Sequence, residues 1–303
     1  MAKVSIVVAV YNHEKYVEQA IRSILAQKTS FDYEVLIGED CSTDQSRAVL
    51  QELEKECPGN FYFFYREYNY GPQNNFMDLY KRMSGDYFIV LEGDDYWCYE
   101  YKLQEQFDFL ENNLEYIACA HNTNIVDENS CIINKEYNEC KDIEYTIDHF
   151  RKGLLPGQTT TLMIRNYYKR PLIDYSLESI SFVAGDKRKA FQLVLQGKIY
   201  CIQSKWSCYR YVTSGGSSFS ANHKNTIENT ESALAFYEKM VEFASRLNND
   251  RGVLAAEELY YITFLSKLKM EKKATSFCRF ITQLVCSKNR MKIISYILYK
   301  GLK

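Results

Sequence analysis

Three features of the sequence predict an α/β protein built on a mostly parallel sheet. Short apolar runs alternate with amphipathic helical patterns through the first hundred residues. The runs are continuous in Val, Ile, Phe and Tyr, as strands covered on both faces must be. Polar and acidic clusters follow the runs directly, where the loops at the carboxyl edge of a parallel sheet would lie.

Each element follows from its own pattern. "KVSIVVA" (3–9) is the first strand. "HEKYVEQAIRSILAQ" carries Tyr16, Val17, Ala20, Ile21, Ile24 and Leu25 on one helical face. "YEVLIG" (33–38) is a second strand, and 42–56 a second helix. Ser42, Thr43 and Asp44 suit its start, because their side-chain oxygens accept orphan backbone N–H groups. "FYFFY" (61–65) is a third strand, 74–83 a third helix and "DYFIVL" (86–91) a fourth strand. Strand–helix alternation of this kind specifies parallel pairing with crossover helices. Beyond 97 the pattern predicts a helix over 101–113 and strands over 116–126, 159–165, 198–202 and 206–212. It adds a helix over 185–197 and helices from about 223 onward. The expected domains are 1–220 and a helical, basic region 221–303.

The chain has 303 residues, 46% hydrophobic and 25% charged, enough for a sizeable core. Four Pro and 13 Gly leave little for linkers. The opening apolar run is broken by Asn12, His13 and Glu14, so it reads as a strand and not a signal peptide. No run reaches the ~18 apolar residues of a spanning helix. The ten cysteines form no C-x-x-C pair, which predicts reduced thiols in the cytoplasm. Net charge is −2, unevenly spread. Residues 267–303 hold ten Lys or Arg against the single acid Glu271, a net of +9; the rest then carries −11. An acidic body disfavours nucleic-acid binding.

The most informative stretch is "VLEGDDYW" (90–97), where Glu92, Asp94 and Asp95 crowd the exit of a buried strand. Three readings compete. The loop is a solvated turn, a phosphoacceptor aspartate site, or a site where Mg²⁺ or Mn²⁺ holds a diphosphate. Neighbouring loops support the third. Asp40 could accept a base N–H, and Tyr11 could stack on a base. Dinucleotide-binding and P-loop signatures are absent from the sequence.

Five ordered segments resemble the family 2 glycosyltransferases of GT-A fold, a bacterial set that builds capsular, O-antigen and exopolysaccharide sugars. They are "VSIVVAVYNHEKYVEQAIRSILAQ", "EVLIGEDCSTDQS", "NYGPQNNF", "GDYFIVLEGDDYW" with "KLQEQFDFLENN", and "GDKRKAFQLVLQGKIYCI" with "YRYVTSGGSS". The resemblance spans about residues 3–220. It implies a Rossmann-like, mostly parallel central sheet flanked by helices, with a C-terminal helical extension. It assigns Ala9, Tyr11 and Asp40 to base binding, and Asn69, Asn75 and Asp94 to donor contacts. Asp95, with Asp94, would ligate Mn²⁺ or Mg²⁺, and Asp186 would be the catalytic base. Glu39, Cys41 and Glu92 depart from the family's Asp, Gly and Asp, and Val212 stands where relatives often carry His.

The resemblance therefore implies a metal-dependent inverting glycosyltransferase acting in cell-surface polysaccharide synthesis. Its donor would be a nucleotide sugar, with UDP-sugar favoured, and its acceptor a glycan or lipid-linked sugar. The alternative is a non-catalytic sugar-nucleotide-binding or scaffolding subunit. The basic, apolar-striped C-terminal region suits peripheral contact with the inner face of the plasma membrane.

Overall fold

The computed structural model describes residues 2–169, 173–180, 185–212, 226–271 and 274–301. The chain divides into two compact units. The first holds 1–146, 154–174 and 196–222; the second holds 147–153, 175–195 and 223–303.

In the first unit, β1 (Val4–Val10) lies between β2 (Tyr33–Glu39) and β4 (Tyr87–Glu92), and β3 (Phe61–Tyr65) flanks β2. All three pairings are parallel, with Ala9 level with Gly38 on one side and Glu92 on the other. The three strands therefore end together, and their following loops share one rim. Alternation along β1 decides what covers each face. Val4, Ile6, Val8 and Val10 join one core with Val17, Ile21 and Ile24 of α1 (Val17–Leu25) and Leu50 and Leu53 of α2 (Ser46–Glu54). Leu103 and Leu110 of α4 (Lys102–Asn112) complete it. Away from that core, Tyr80 of α3 (Pro72–Arg82) packs on Phe88 and Tyr168, with ring centroids 5.7 and 5.0 Å apart.

The sheet continues from β4 through β8 (Met163–Arg165), β6 (Tyr116–Val126) and β9 (Lys198–Arg210) to β5 (Tyr96–Trp97). A short β7 (Glu144–Tyr145) also pairs with β9. β8 is antiparallel to both β4 and β6, and β6 and β9 run parallel. The expected strands 198–202 and 206–212 are one strand. Its register slips against β6, where His121 pairs with Ile202 but Asn122 with Lys205, so a bulge hides the continuity. The expected strand 159–165 shortens to β8, because Thr159–Thr161 form a 3₁₀ turn. The helix expected from Ser42 starts at Ser46. Ser42 and Asp44 accept backbone N–H groups of Asn12 and Glu14, at 3.0 Å each, while Asp44 Oδ1 also accepts from the Ser46 N–H that opens the helix, at 2.9 Å.

The second unit contains α5 (Ile147–Arg151), α6 (Gly185–Val194) and the helices α7 (Ile227–Arg246), α8 (Asp250–Glu271), α9 (Ala274–Cys286) and α10 (Arg290–Gly301). Thr226 caps α7, its hydroxyl accepting from the Asn229 N–H. Helix α8 buries Leu254, Ala255, Ala256, Tyr260, Tyr261 and Phe264, as a central helix does. Its buried Glu258 takes two hydrogen bonds from Arg151, at 2.8 and 2.6 Å. No helix among the described residues is long and apolar enough to cross a membrane.

One buried charge in the first unit tests the packing. Lys102 is fully buried; its amine donates to Gln106 Oε1 at 2.7 Å and lies 4.4 Å from the Trp97 ring centroid. Burial pushes its pKa well below 10.5. The unfolded chain therefore binds the proton more tightly, and this group's penalty shrinks as pH rises toward 10.5. Lys102→Met should therefore gain more over wild type at pH 7 than at higher pH. Chemical denaturation at pH 7, 8.5 and 10 should show that relative stability falling steadily.

Candidate active site

The rim is built by stapling strand ends to one another. The Asp40 N–H donates to Val10 O at 2.9 Å, and the Gly93 N–H to Ala9 O at 3.1 Å. Asn12 Oδ1 accepts from the Thr43 N–H at 2.8 Å while Ser42 Oγ accepts from the Asn12 N–H. Asn12 and Cys41 both adopt left-handed backbone, with φ of 57° and 59°. That region suits Gly or Asn, which explains why the resembling family has Gly where Cys41 stands.

The base-binding candidates lie along this rim. Ala9 is partly buried at the end of β1, its carbonyl holding Gly93, and Tyr11 is partly exposed just beyond. Asp40 is buried, and Oδ1 accepts from the Tyr70 N–H at 2.7 Å. Burial raises its pKa, although N–H groups of Tyr70 and Gly71 oppose the shift. Glu39, at the family's Asp position, is fully buried and accepts from the Ser42 N–H at 2.6 Å and from the Arg47 guanidinium. The longer side chain thus serves as a clasp between β2 and α2. Asn69 is exposed, and its Oδ1 accepts from the Gly71 N–H, shaping the turn. Asn75 is buried, donating to Gly38 O at 2.9 Å and accepting from Arg66 Nε at 3.2 Å.

The acidic loop occupies the centre. A turn closes with the Asp95 N–H on Glu92 O at 3.0 Å. Gly93 is required there, because a Cβ would lie 2.6 Å from His13 Nδ1. Asp94 stays partly open, its Oδ2 3.9 Å from His13 Nε2. Asp95 is buried: Oδ1 accepts from the Arg210 N–H at 2.8 Å, and Oδ2 from Gln158 Nε2 at 2.9 Å. Burial, and then the carboxylates of Asp94 and Glu92, hold its pKa well above 3.8. Trp97 belongs to the core: it is buried, and its indole N–H donates to Thr160 O.

Two residues that organise this loop escaped sequence reasoning. Gln158 bridges two acids, its Nε2 also reaching Glu92 Oε2 at 3.2 Å. Its Oε1 takes both the N–H and hydroxyl of Thr160 at 2.7 Å, which fixes the amide orientation. Gly157 lets this segment pack closely, since a Cβ there would lie 2.2 Å from Thr161 Oγ1. Arg210 is buried between the rings of Tyr16 and Tyr96. It donates to Asp94 O, Asp127 O, Glu128 O, Ser130 Oγ and Gln19 Oε1. The antiparallel pairing of Tyr96 with Cys208 delivers Arg210 to this loop. The "YR" pair was visible in the sequence; the two-residue strand that aims it was not.

Asp186 lies in the second unit, in the first turn of α6. Its Oδ1 accepts from the Lys187 N–H at 2.7 Å. Val212 is buried, while residues 213–218 of the expected acceptor-side strand lie outside the described residues.

Glu92 and Asp95 share one neutral amide, and Asp94 stands beside them in the same loop. That donor set fits a hard divalent cation: it is all oxygen, and its charge is incompletely offset. Removing the amide should expose the strain. Gln158→Ala is expected to lower stability by about 1–3 kcal/mol, the cost of unpairing buried polar groups. Thermal melts with and without Mn²⁺ should show the deficit narrowing when the cation is present.

A sequence model described as "Glycosyl transferase family 2" matches residues 5–169, more than half of the chain. An uncharacterized protein of Mycobacterium tuberculosis is 31% identical over 171 residues, covering 56% of this chain and 46% of its own. A Campylobacter jejuni GalNAc(5)-diNAcBac-PP-undecaprenol beta-1,3-glucosyltransferase is 33% identical over 95 residues, covering 31% and 30%. The chain thus spans less than half the length of these curated relatives. The crystal structure of S. aureus TarS 1-349 in complex with UDP-GlcNAc matches 97% of this chain and 81% of its own. Its TM-score is 0.63 at 16% identity, so the likeness is one of fold. The family match and the acid loop within it lead to one conclusion: the chain belongs to glycosyl transferase family 2.

Proposed function

We propose that this protein is an inverting glycosyltransferase that moves a sugar from a nucleoside-diphosphate sugar to a hydroxyl of a glycan or lipid-linked acceptor. The observation that carries the proposal is the placement of the Glu92, Asp94 and Asp95 loop, with Glu92 and Asp95 sharing Gln158, on the rim that also presents Tyr11 and Asp40. A parallel sheet binds ligands at that edge. The UDP-GlcNAc in the TarS complex supports a UDP-sugar donor. The undecaprenol-linked substrate named for the Campylobacter relative supports cell-surface glycan synthesis close to a membrane, with the protein on its cytoplasmic side.

Under this proposal Tyr11 and Asp40 hold the base, with the Ala9 backbone beside them. Asn69 and Asn75 shape the donor side of the rim through the turn and the Gly38 contact. Asp94 and Asp95 would hold Mn²⁺ or Mg²⁺, whose charge offsets that of the departing diphosphate. Each Asp95 oxygen has accepted one hydrogen bond and retains a lone pair for such a role. Asp186 takes the proton of the acceptor hydroxyl. The oxygen then bonds to the anomeric carbon as the bond to the nucleoside diphosphate breaks on the opposite face, which inverts the configuration.

Two variants separate binding from chemistry. Asp186→Asn should lower transfer by about 10²–10⁴-fold, the usual worth of a positioned base, while UDP affinity stays unchanged. Asp95→Asn should lose the Mn²⁺-dependent rise in melting temperature that UDP produces in wild type. Transfer assays and thermal shifts measure both. Full activity in Asp186→Asn, or a full Mn²⁺-dependent shift in Asp95→Asn, would refute the corresponding assignment.

A further inference from the structure

The last two helices of the second unit are apolar on two sides. Their inner sides are accounted for: Phe280 packs on Tyr261 and Phe264, with centroids 5.7 and 5.5 Å apart, and Leu284 and Ile293 are buried. Their outer sides carry Phe277, Ile281 and Val285 on α9, and Met291, Ile294 and Leu298 on α10. These six are between 36 and 70% exposed. Spacings of four and four, and of three and four, place each set on one stripe of its helix. Consecutive exposed stripes of large apolar residues exceed the scattered exposure normal for a protein surface.

The charge around the stripes selects what covers them. Between Ala274 and Gly301 the chain has Arg279, Lys288, Arg290, Lys292 and Lys300 and no acid. A second copy meeting this face with its own α9 and α10 would bring the same positive charge and be repelled. Water-exposed apolar stripes on two helices whose only charged residues are cations match the interface of a bilayer with anionic headgroups. Each cation near such a surface adds attraction, and the apolar side chains enter the acyl boundary.

We infer that α9 and α10 form a docking face for an anionic membrane surface, through Phe277, Ile281, Val285, Met291, Ile294 and Leu298 together with the cations of the same segment. This rests on the proposed transferase reading in one respect, the lipid-linked acceptor that membrane contact would serve. The face itself is argued from its own residues.

Vesicle co-sedimentation of the full chain tests it. Wild type should pellet with phosphatidylglycerol vesicles at low salt, stay in solution with phosphatidylcholine, and release as salt rises. Phe277→Ser/Ile281→Ser/Leu298→Ser and, separately, Arg279→Gln/Lys288→Gln should each lower partitioning by on the order of tenfold or more. Both variants should keep the wild-type thermal shift with UDP and Mn²⁺, which shows them folded and leaves the transferase proposal untouched. Wild type that ignores anionic vesicles would overturn the inference. So would variants that partition like wild type, or an apolar variant whose only change is a smaller oligomer by light scattering. A lost UDP shift in wild type with intact vesicle binding would refute the donor reading alone.

Discussion

Three carboxylates packed into four residues at the mouth of a buried strand should push apart, and much of the first unit is arranged to prevent it. Asp95 bears the greatest cost, being buried beside two other acids. It is held by one backbone N–H and one side-chain amide, both from segments far away in sequence. Arg210 compensates from the other side. Its guanidinium satisfies carbonyls of the acid loop and of the 127–130 loop while its backbone serves Asp95. A buried cation paired this way is expensive to desolvate, and its multiple partners offset that cost.

The rim shows how a parallel sheet turns register into a site. Ala9, Gly38 and Glu92 are level, so one hydrogen bond suffices to tie each neighbouring loop to the next. The 10–14 and 39–46 loops then exchange side-chain and backbone bonds in both directions. Rigid support of this kind is what a binding constellation needs. Asp40 and Asn75 illustrate the division of labour: both are buried, and both brace the 69–75 segment against the sheet.

Local pattern was sufficient wherever the physics is local. The β1, β2, β3 and β4 runs and the helices between them were readable because continuous Val, Ile and aromatic runs and 3.6-residue periodicity are strong signals. The acid loop was readable from its charge. What escaped was non-local. Nothing in "PGQTTT" marks Gln158 as an amide aimed at Asp95, because its orientation comes from Thr160. The two-residue β5 is too short for any periodicity, yet it brings Arg210 to Asp94 and Asp95. The bulge in β9 similarly broke one strand into two apparent runs. At Ser42–Asp44 a helix-starting composition also serves as a tertiary staple: Asp44 holds the Ser46 N–H of the helix with one oxygen and the Glu14 N–H with the other.

The central claim is that the carboxylates of Asp94 and Asp95 share one divalent cation with a nucleotide's diphosphate. Crystals grown with UDP and MnCl₂, measured at the manganese edge, test it most directly. The expected result is a single strong anomalous peak within bonding distance of both carboxylates and the diphosphate. A well-ordered UDP with no such peak, or a peak bound by other residues, would contradict it.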